Sequence, residues 1–396
     1  MKILVQKFGG TSVSTKEKRK LVASKVINAK SQGYFPVVVV SAIGRKGEPY
    51  ATDTLLSQVD DDFKCENPLA IDLLMSCGET ISTVIMCNEL SNNKIDSVPL
   101  TGGQAGIITD SNYTNAAILN VDTKRILNIL ENGKVPVVAG FQGMDDKSYV
   151  TTIGRGGSDV TAALLGAALN AVEVQIYTDV DGIMTADPRI VSEATLIKKI
   201  SYDEIFQFAD QGAKVIHPRA VELCRKYNIP LVIKNTMNEC AGTLISNFES
   251  EACENIITGI THMNNRVQIE ITKNESSSYI DLFDILAENL ISIDLINVFP
   301  KEKIFTIDEK DFTKFTDLIK ELNISYSFVK NCSKIAIIGS KMRGIPGVMA
   351  RILKALTKQK IEVLQTADSH MTIWCLVETK DVQKAIISLH REFKLG

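Results

Sequence analysis

Three glycine clusters in this 396-residue chain have the residue types and spacing of loops that handle anions. The first is Lys7-Phe8-Gly9-Gly10-Thr11-Ser12-Val13, placed between an apolar run and a helical pattern. Glycine at such a junction lets backbone N–H groups approach an anion and point at it, with the helix dipole assisting, and Lys7 adds a charge suited to phosphate oxygens. A plain tight turn explains Gly9-Gly10 on its own equally well. The segment is neither a Walker A sequence nor G-x-G-x-x-G, so neither of those nucleotide folds is indicated.

The second cluster, Gly154-Arg155-Gly156-Gly157-Ser158-Asp159, also opens a helical pattern. The planar guanidinium of Arg155 can grip a carboxylate with two hydrogen bonds, and Gly156, Gly157 and Ser158 offer N–H donors in little space. Asp159 would cap the helix whether or not it does chemistry. A serine-hydrolase elbow is excluded: Val160 rather than glycine stands two residues after Ser158, and no histidine is near in sequence. The third cluster runs from Tyr177 to Arg189 and holds Asp179, Asp181 and Asp187. It is no calcium loop, because Gly182 comes too early and no acidic residue closes a twelve-residue frame. Ligands of parallel sheets bind at the carboxyl ends of strands, so this mixed loop suits the ribose or phosphates of a nucleotide and its Mg²⁺.

Such loops need strands and helices to hold them. Lys2 to Phe8 reads as a strand. A helix follows over 15–32, with a Ser14-x-x-Glu17 capping box and Gly33 as its stop, and 36–42 is a nearly wholly apolar strand. That order is a βαβ unit. Further strands are expected over 135–141, 173–177 and 230–234, and helices over 69–90, 120–130, 159–170 and 217–227. Residues 1–245 therefore read as one large α/β domain, and the polar, acidic stretch 246–255 as a linker. Beyond it come two shorter patterns of the β-α-β-β-α-β kind. The first has strands over 266–272, 292–299, 303–308 and 324–330 with helices over 278–289 and 311–322. The second has strands over 334–339, 362–367 and 371–378 with helices over 347–358 and 381–391. This second copy lacks its last strand, and 256–262 supplies one. The first module (264–331) is thus expected to nest inside the second (256–263 plus 332–396).

The composition, 45% apolar and 23% charged, argues against long disorder. Lys and Arg number 44 against 47 Asp and Glu, a formal charge of −3, which removes the electrostatic footprint of a nucleic-acid binder. The longest apolar runs, Val37–Val40 and 161–171, fall short of the ~20 residues of a membrane span, and Ile3-Leu4-Val5 is too short for a signal-peptide core. No membrane partner and a cytosolic location are expected. The eight cysteines show no C-x-x-C spacing and read as reduced thiols, and the four histidines show no metal-ligand spacing.

Five segments, in this order, resemble the aspartate kinase family: Lys7–Val13 as K-F-G-G-T-S-V, Gly78-Glu79, Gly154–Asp159 as G-R-G-G-S-D, Thr178–Arg189 as T-D-V-D-G-I-x-x-x-D-P-R, and Gly212-Ala213-Lys214-Val215-Ile216-His217-Pro218. The resemblance covers essentially the whole chain. It implies an α/β amino-acid-kinase (carbamate-kinase-like) domain with a largely parallel sheet, followed by two ferredoxin-like βαββαβ ACT domains. It implies transfer of the ATP γ-phosphoryl group, with Mg²⁺ held mainly by the ATP phosphates, to the side-chain carboxylate of L-aspartate. The product, 4-phospho-L-aspartate, opens the route to lysine, diaminopimelate, threonine and methionine.

By matching motif positions, Lys7, Asp159 and Lys214 would be catalytic. Lys7 would stabilise the transferring group, Lys214 would contact the nucleotide phosphates, and Asp159 would orient the lysines. Phe8, Gly9, Gly10, Ser41, Thr178, Asp179, Met184, Arg189 and Val215 would complete the ATP site. Thr52, Glu79, Arg155, Gly156, Gly157 and Ser158 would hold aspartate, with Glu79 on the α-ammonium and Arg155 on a carboxylate. The spacing before Thr52 is longer than in many members.

In the second C-terminal module, Met342-Arg343-Gly344-Ile345-Pro346-Gly347-Val348 resembles the ligand loop of ACT domains. Gln365, Thr366 and Asp368 would complete an effector site for diaminopimelate, lysine or threonine. The matching stretch of the first module, 274–279, has neither glycine nor proline and departs from that pattern. The tail with Trp374-Cys375 is most like the diaminopimelate-sensitive Gram-positive members. ACT modules pair side by side, which implies a homodimer or larger homo-oligomer. Two other readings stand beside this one: another carboxylate kinase of the same fold, such as an acetylglutamate or glutamate 5-kinase, and a catalytically silent amino-acid sensor. Glu79 and the paired tail favour a free amino acid, K-F-G-G-T-S-V favours aspartate, and intact Lys7, Asp159 and Lys214 favour an active enzyme.

Overall fold

Burial of Ile3, Leu4, Val5 and Phe8 places the first strand, Ile3–Phe8, inside an eight-stranded sheet. The computed structural model describes residues 1–213, 215–248, 256–272, 279–322, 324–340, 342 and 345–396, with backbone alone for 279–281. The chain divides into two compact units, Met1–Ile183 with Leu196–Ala209 and Lys214–Phe248, and Met184–Thr195 with Asp210–Ala213 and Glu249–Gly396.

In the first unit the sheet runs in the order Lys199–Ser201, Thr243–Ser246, Leu231–Asn235, Glu173–Thr178, Ile3–Phe8, Phe35–Val40, Val135–Ala139, Ser97–Leu100. All pairings are parallel except that of Leu231–Asn235 with Thr243–Ser246. Phe35–Val40 and Glu173–Thr178 flank the first strand on opposite sides, so the crossovers depart in opposite directions there. A crevice opens at the carboxyl ends of strands at such a switch point. A second sheet of four short strands, Ile118–Val121, Ile107–Thr109, Gln142–Met144 and Val150–Thr152, lies in the same unit.

The helix Lys16–Ser31 buries Val22, Ala23 and Val26 in a core shared with Phe8, Val38 and Val40. Its cap is Thr15, whose hydroxyl accepts from the Lys18 N–H at 3.3 Å, and not the Ser14 of the expected capping box. The Ser14 hydroxyl is already engaged, donating to the Thr11 carbonyl at 3.0 Å. The helix expected over 120–130 begins only at Lys124, because Ile118–Val121 pairs with Ile107–Thr109 as a strand. Asp122 closes that strand through its N–H to Gly106 O, and its carboxylate accepts from the Lys124 N–H.

The 25-residue helix Pro68–Asn92 is long and apolar enough to cross a bilayer by length and composition alone, which the sequence runs did not reveal. Its buried face nevertheless carries Asp72, Glu79 and Glu89. Asp72 and Glu79 are seven residues apart and so share a face. The Asp72 carboxylate accepts from Thr114 N–H, Thr152 N–H and the Thr152 hydroxyl at 2.6–3.0 Å, tying the helix to the small sheet. A buried carboxylate with its acceptors filled by protein donors marks a helix packed in a protein interior.

The second unit contains a six-stranded antiparallel sheet in the order Ile293–Val298, Glu302–Asp308, Gly259–Thr272, Tyr326–Ile338, Thr372–Glu378, Gln365–Asp368. Here the structure differs from the two separate sheets implied by the repeat. The strands expected over 256–262 and 266–272 are one strand, and so are those over 324–330 and 334–339. Gly259–Met263 pairs with Lys334–Ile338, and Gln268–Ile271 with Tyr326–Val329. Between these halves each strand carries one extra residue, so the register shifts and then returns. Asn265 and Asn331, at φ of 60° and 54°, take the left-handed conformation at the two irregularities. Asparagine tolerates that region better than most residues. Val267, Ile269 and Phe305 belong to one core, with Phe315 of the helix Phe312–Glu321. Ile260, Ile335 and Ile337 belong to the other, with Ile352 and Leu389 of the helices Val348–Lys358 and Val382–Glu392.

Two segments expected within the first domain group with the second unit instead. Ala186 and Val191 are buried in the core around Ile260, and the Ile260 N–H donates to Thr185 O at 2.8 Å. The Thr185 hydroxyl meets His390 Nε2 at 3.0 Å. Farther along, Trp374 Nε1 donates to Gln211 Oε1 at 3.0 Å, and Gly212, at φ +108°, lies against the His262 carbonyl. Of the expected linker, 249–255 lies outside the described residues, and Thr243–Ser246 is a strand.

Candidate active site

At the carboxyl ends of Ile3–Phe8 and Phe35–Val40, a cavity of about 360 Å³ gathers Lys7, Gly10, Ser41, Thr52, Glu79, Arg155, Gly156, Gly157, Ser158 and Asp159. That volume falls at the lower end of the ~300–1,000 Å³ typical of small-molecule sites. Lys7 is the next-to-last residue of its strand and pairs with Asp159 at 2.6 Å, each side chain about one-eighth exposed (12% and 13%). Asp159 stands in the first turn of the helix Gly157–Ala168, whose N-cap Gly156 is left-handed at φ +71°. A side chain at Gly156 would collide with the His217 ring, so glycine there allows His217 to close on the loop. The His217 N–H reaches Asp159 Oδ2 at 3.4 Å, and burial holds the His217 imidazole below its usual pKa. Asp159 thus sits between Lys7 on one side and the His217 backbone on the other.

Gly9 and Gly10 play different parts. The Gly9 N–H donates to Tyr177 O at 3.2 Å, and the Tyr177 ring stacks on Phe8 with centroids 4.8 Å apart. Phe8 is fully buried, so it supports the loop from below. A Cβ at Gly10 would lie 2.5 Å from Ala42 O and 2.8 Å from Gly44 O. Backbone carbonyls cannot step aside as a flexible side chain can. Gly10→Ala is expected to cost about 1–3 kcal/mol of stability, read as a lowered urea midpoint at unchanged m; an unchanged midpoint would show that this approach is not tight.

Glu79 is the most perturbed acid of the cavity. Only 3% of it is exposed, and burial pushes its pKa up to about 8, against the lowering influence of its own backbone and that of Ala42. Its Oε2 has no hydrogen-bond partner among the described residues. A buried, unpartnered carboxyl oxygen costs free energy unless a donor arrives. Arg155 is exposed, and among the described residues no carboxylate pairs with it. The cavity can therefore receive an ammonium at Glu79, a carboxylate at Arg155 and phosphate oxygens near Lys7.

Other expected residues lie elsewhere. Thr178 ends the neighbouring strand and Asp179 follows it, both outside the cavity lining, and Asp179 pairs with Arg45 at 2.6 Å. Met184 and Arg189 fall in the segment that groups with the second unit, where Arg189 pairs with Asp187 at 2.6 Å. Val215 is half-buried, and Lys214 lies outside the described residues. Of the effector residues, Arg343 and Gly344 are outside the described residues, as is 274–278 of the first module. Ile345, Pro346 and Gly347 are exposed, with Gly347 at φ +90° capping the helix whose first residue, Val348, is buried. Gln365 is buried and donates to Leu295 O and to Asn297 Oδ1, while Thr366 is half-buried and Asp368 exposed. Sequence reasoning missed Arg45, Lys46 and Phe141, which also line the cavity. The run Gly44-Arg45-Lys46-Gly47 straight after a buried strand was the available signal.

Residues 2–235 match the Amino acid kinase family and residues 327–391 the ACT domain. Aspartokinase 1 of Bacillus subtilis (strain 168) is 42% identical over 403 residues, covering 100% of both chains. The solved aspartate kinase of Clostridium acetobutylicum, described as an allosteric enzyme, aligns with a TM-score of 0.82 at 26% identity over 98% of this chain and 100% of that one. E. coli aspartokinase III, solved with aspartate and ADP and again with lysine and aspartate, aligns with TM-scores of 0.81 and 0.79. At 24% and 25% identity, over 99% of this chain and 100% of that one, this likeness is one of fold. Identity of 42% over the full length of both chains, with the Amino acid kinase match over 2–235, establishes kinship: the chain belongs to the aspartokinase family.

Proposed function

We infer that this chain transfers the γ-phosphoryl group of ATP to the side-chain carboxylate of L-aspartate and is regulated through its ACT modules. One observation carries the substrate reading: Glu79, whose Oε2 is unpartnered among the described residues, lines the same cavity as Arg155 and the Lys7–Asp159 pair. An amino acid with a second carboxylate meets all three demands. Its ammonium would satisfy Glu79 and one carboxylate would pair with Arg155, leaving the other beside Lys7 to attack. Thr52, Gly156, Gly157 and Ser158 would surround it. ADP-bound aspartokinase III supports a nucleotide as the other substrate.

In the reaction an aspartate oxygen bonds to the γ-phosphorus as the bond to the β,γ-bridging oxygen breaks. The attacking carboxylate carries no proton at neutral pH, so the protein mainly positions and neutralises. Lys7 is held on the transferring group by Asp159, and the Gly9-Gly10 backbone and Ser41 lie along the phosphates, with Phe8 beneath them. Lys214, Thr178, Asp179, Met184, Arg189 and Val215 are assigned to the nucleotide. Mg²⁺, held mainly by the phosphates, would screen charge between the β and γ groups.

Residues 1–245 are proposed as the catalytic domain, with 264–331 as one regulatory module and 256–263 plus 332–396 as the other. An amino-acid effector would bind the second through Arg343, Gly344, Ile345, Pro346, Gly347, Val348, Gln365, Thr366 and Asp368, in a cytosolic homodimer. Trapping the acyl phosphate with hydroxylamine tests the whole reading. Hydroxamate is expected from ATP and aspartate, but not from glutamate or acetylglutamate, and is expected to fall when diaminopimelate, lysine or threonine is added. Arg155→Ala should raise KM for aspartate by about 30-fold or more and KM for ATP less than about twofold, the loss of one bidentate contact. Equal loss for both substrates would contradict the role of Arg155.

A further inference from the structure

The loop 43–51 follows the buried strand Phe35–Val40 and is anchored to three neighbouring segments. Gly44 N–H donates to Gly10 O at 3.1 Å, joining it to the phosphate loop. Arg45 Nη2 meets Asp179 Oδ2 at 2.6 Å, joining it to the end of Glu173–Thr178. Gly47 N–H donates to the Thr54 hydroxyl at 3.0 Å, so the far end of the loop is fixed as well. Lys46 stands between these anchors, is exposed, and lines the cavity.

Charge on the cavity wall decides what Lys46 is for. Lys7 is paired with Asp159, and Arg45 with Asp179. Among the described residues, Arg155 and Lys46 are the cavity-lining cations that no carboxylate pairs with. Arg155 shares its loop with the groups assigned to aspartate. A triphosphate brings about four negative charges, and as a bond to it breaks more charge moves onto the departing diphosphate. A long, hydrated ammonium on an exposed loop suits a group that must arrive and leave.

We propose that Lys46 is a phosphate-contacting catalytic residue, presented to the nucleotide by the Arg45–Asp179 pair, with Arg45 as its positioning residue. This rests on the reading of the cavity as the meeting place of ATP and aspartate. The test is steady-state hydroxamate formation by wild type, Lys46→Gln, Lys46→Arg and Arg45→Gln, with MgATP and aspartate varied in turn.

Lys46→Gln is expected to raise KM for MgATP about tenfold at unchanged KM for aspartate, the loss of one charge-assisted hydrogen bond. Lys46→Arg should restore most of it, and Arg45→Gln should move the same constant about threefold. A purely structural role would not separate the two substrates in this way. Wild-type KM for MgATP in Lys46→Gln, or an equal rise for both substrates, overturns the proposal while the kinase reading stands. A wild type that forms no hydroxamate removes the kinase reading itself, and this proposal with it.

Discussion

Lys7→Ala is expected to lower aspartyl phosphate formation by about 10³-fold or more while the protein still folds. Lys7 is the cation at the carboxyl end of the central strand, and its Nζ is held 2.6 Å from Asp159. Removing it withdraws charge from the transferring group and leaves Asp159 without its partner. The second effect is one of stability, on the order of 1–3 kcal/mol for a mostly buried carboxylate left unpaired. The double variant Lys7→Ala/Asp159→Asn separates the two. It should regain the thermal midpoint lost in the single variant and stay inactive in the hydroxylamine assay. Turnover within about tenfold of wild type in either variant would remove Lys7 from the chemistry.

The second large effect concerns Glu79 and carries a sign in pH. With its pKa pushed up to about 8 by burial, the group is a neutral acid in the empty site at pH 7. An arriving ammonium favours the carboxylate, so binding releases a proton. KM for aspartate should therefore fall as pH rises from 6 to 8, by up to about tenfold per unit, and level off above. Glu79→Gln should raise KM by about 100-fold at pH 8 and abolish this slope. Stability of the empty protein moves the other way. Between the unfolded value of 4.5 and about 8 the folded state holds a proton that the unfolded state has lost, so stability falls as pH rises through that window. Glu79→Gln should flatten that fall in thermal unfolding. A Gln variant that keeps the wild-type slope in KM would assign the titration to another group.

The catalytic loops were legible because glycine, lysine and arginine at strand ends have few alternative uses together. Lys7, Glu79 and the Arg155–Asp159 loop lie in three separate stretches of sequence, and the sheet brings them to one cavity. Arg45 and Lys46 were not found, since a charged pair in a loop looks like any solvated surface until its neighbours are known. The Thr15 cap escaped notice because Ser14 and Thr15 offer the same hydroxyl, and the choice depends on Thr11 O being near. Met184–Thr195 reads as a continuation of the nucleotide loop. What groups it with the second unit is the burial of Ala186 and Val191 against residues more than sixty positions away, which local pattern cannot show. The six-stranded sheet was hidden for a related reason. Period-two alternation breaks at Asn265 and at Asn331, and a break in alternation resembles the end of a strand.

Those two asparagines also set a parity. Along one strand the core-facing residue is Ile260 before the irregularity and Val267 after it, an even position followed by odd ones. Along the other, Tyr326 contacts one core and Ile335 and Ile337 the other, again even followed by odd. One inserted residue inverts which face a strand presents, and a second on its neighbour brings the pair back into phase. Deleting either asparagine alone would act as a frameshift in space, turning one module inside out relative to the other. Only the matching deletion on the facing strand could correct it, so the two duplicated halves are bound to change together at that seam.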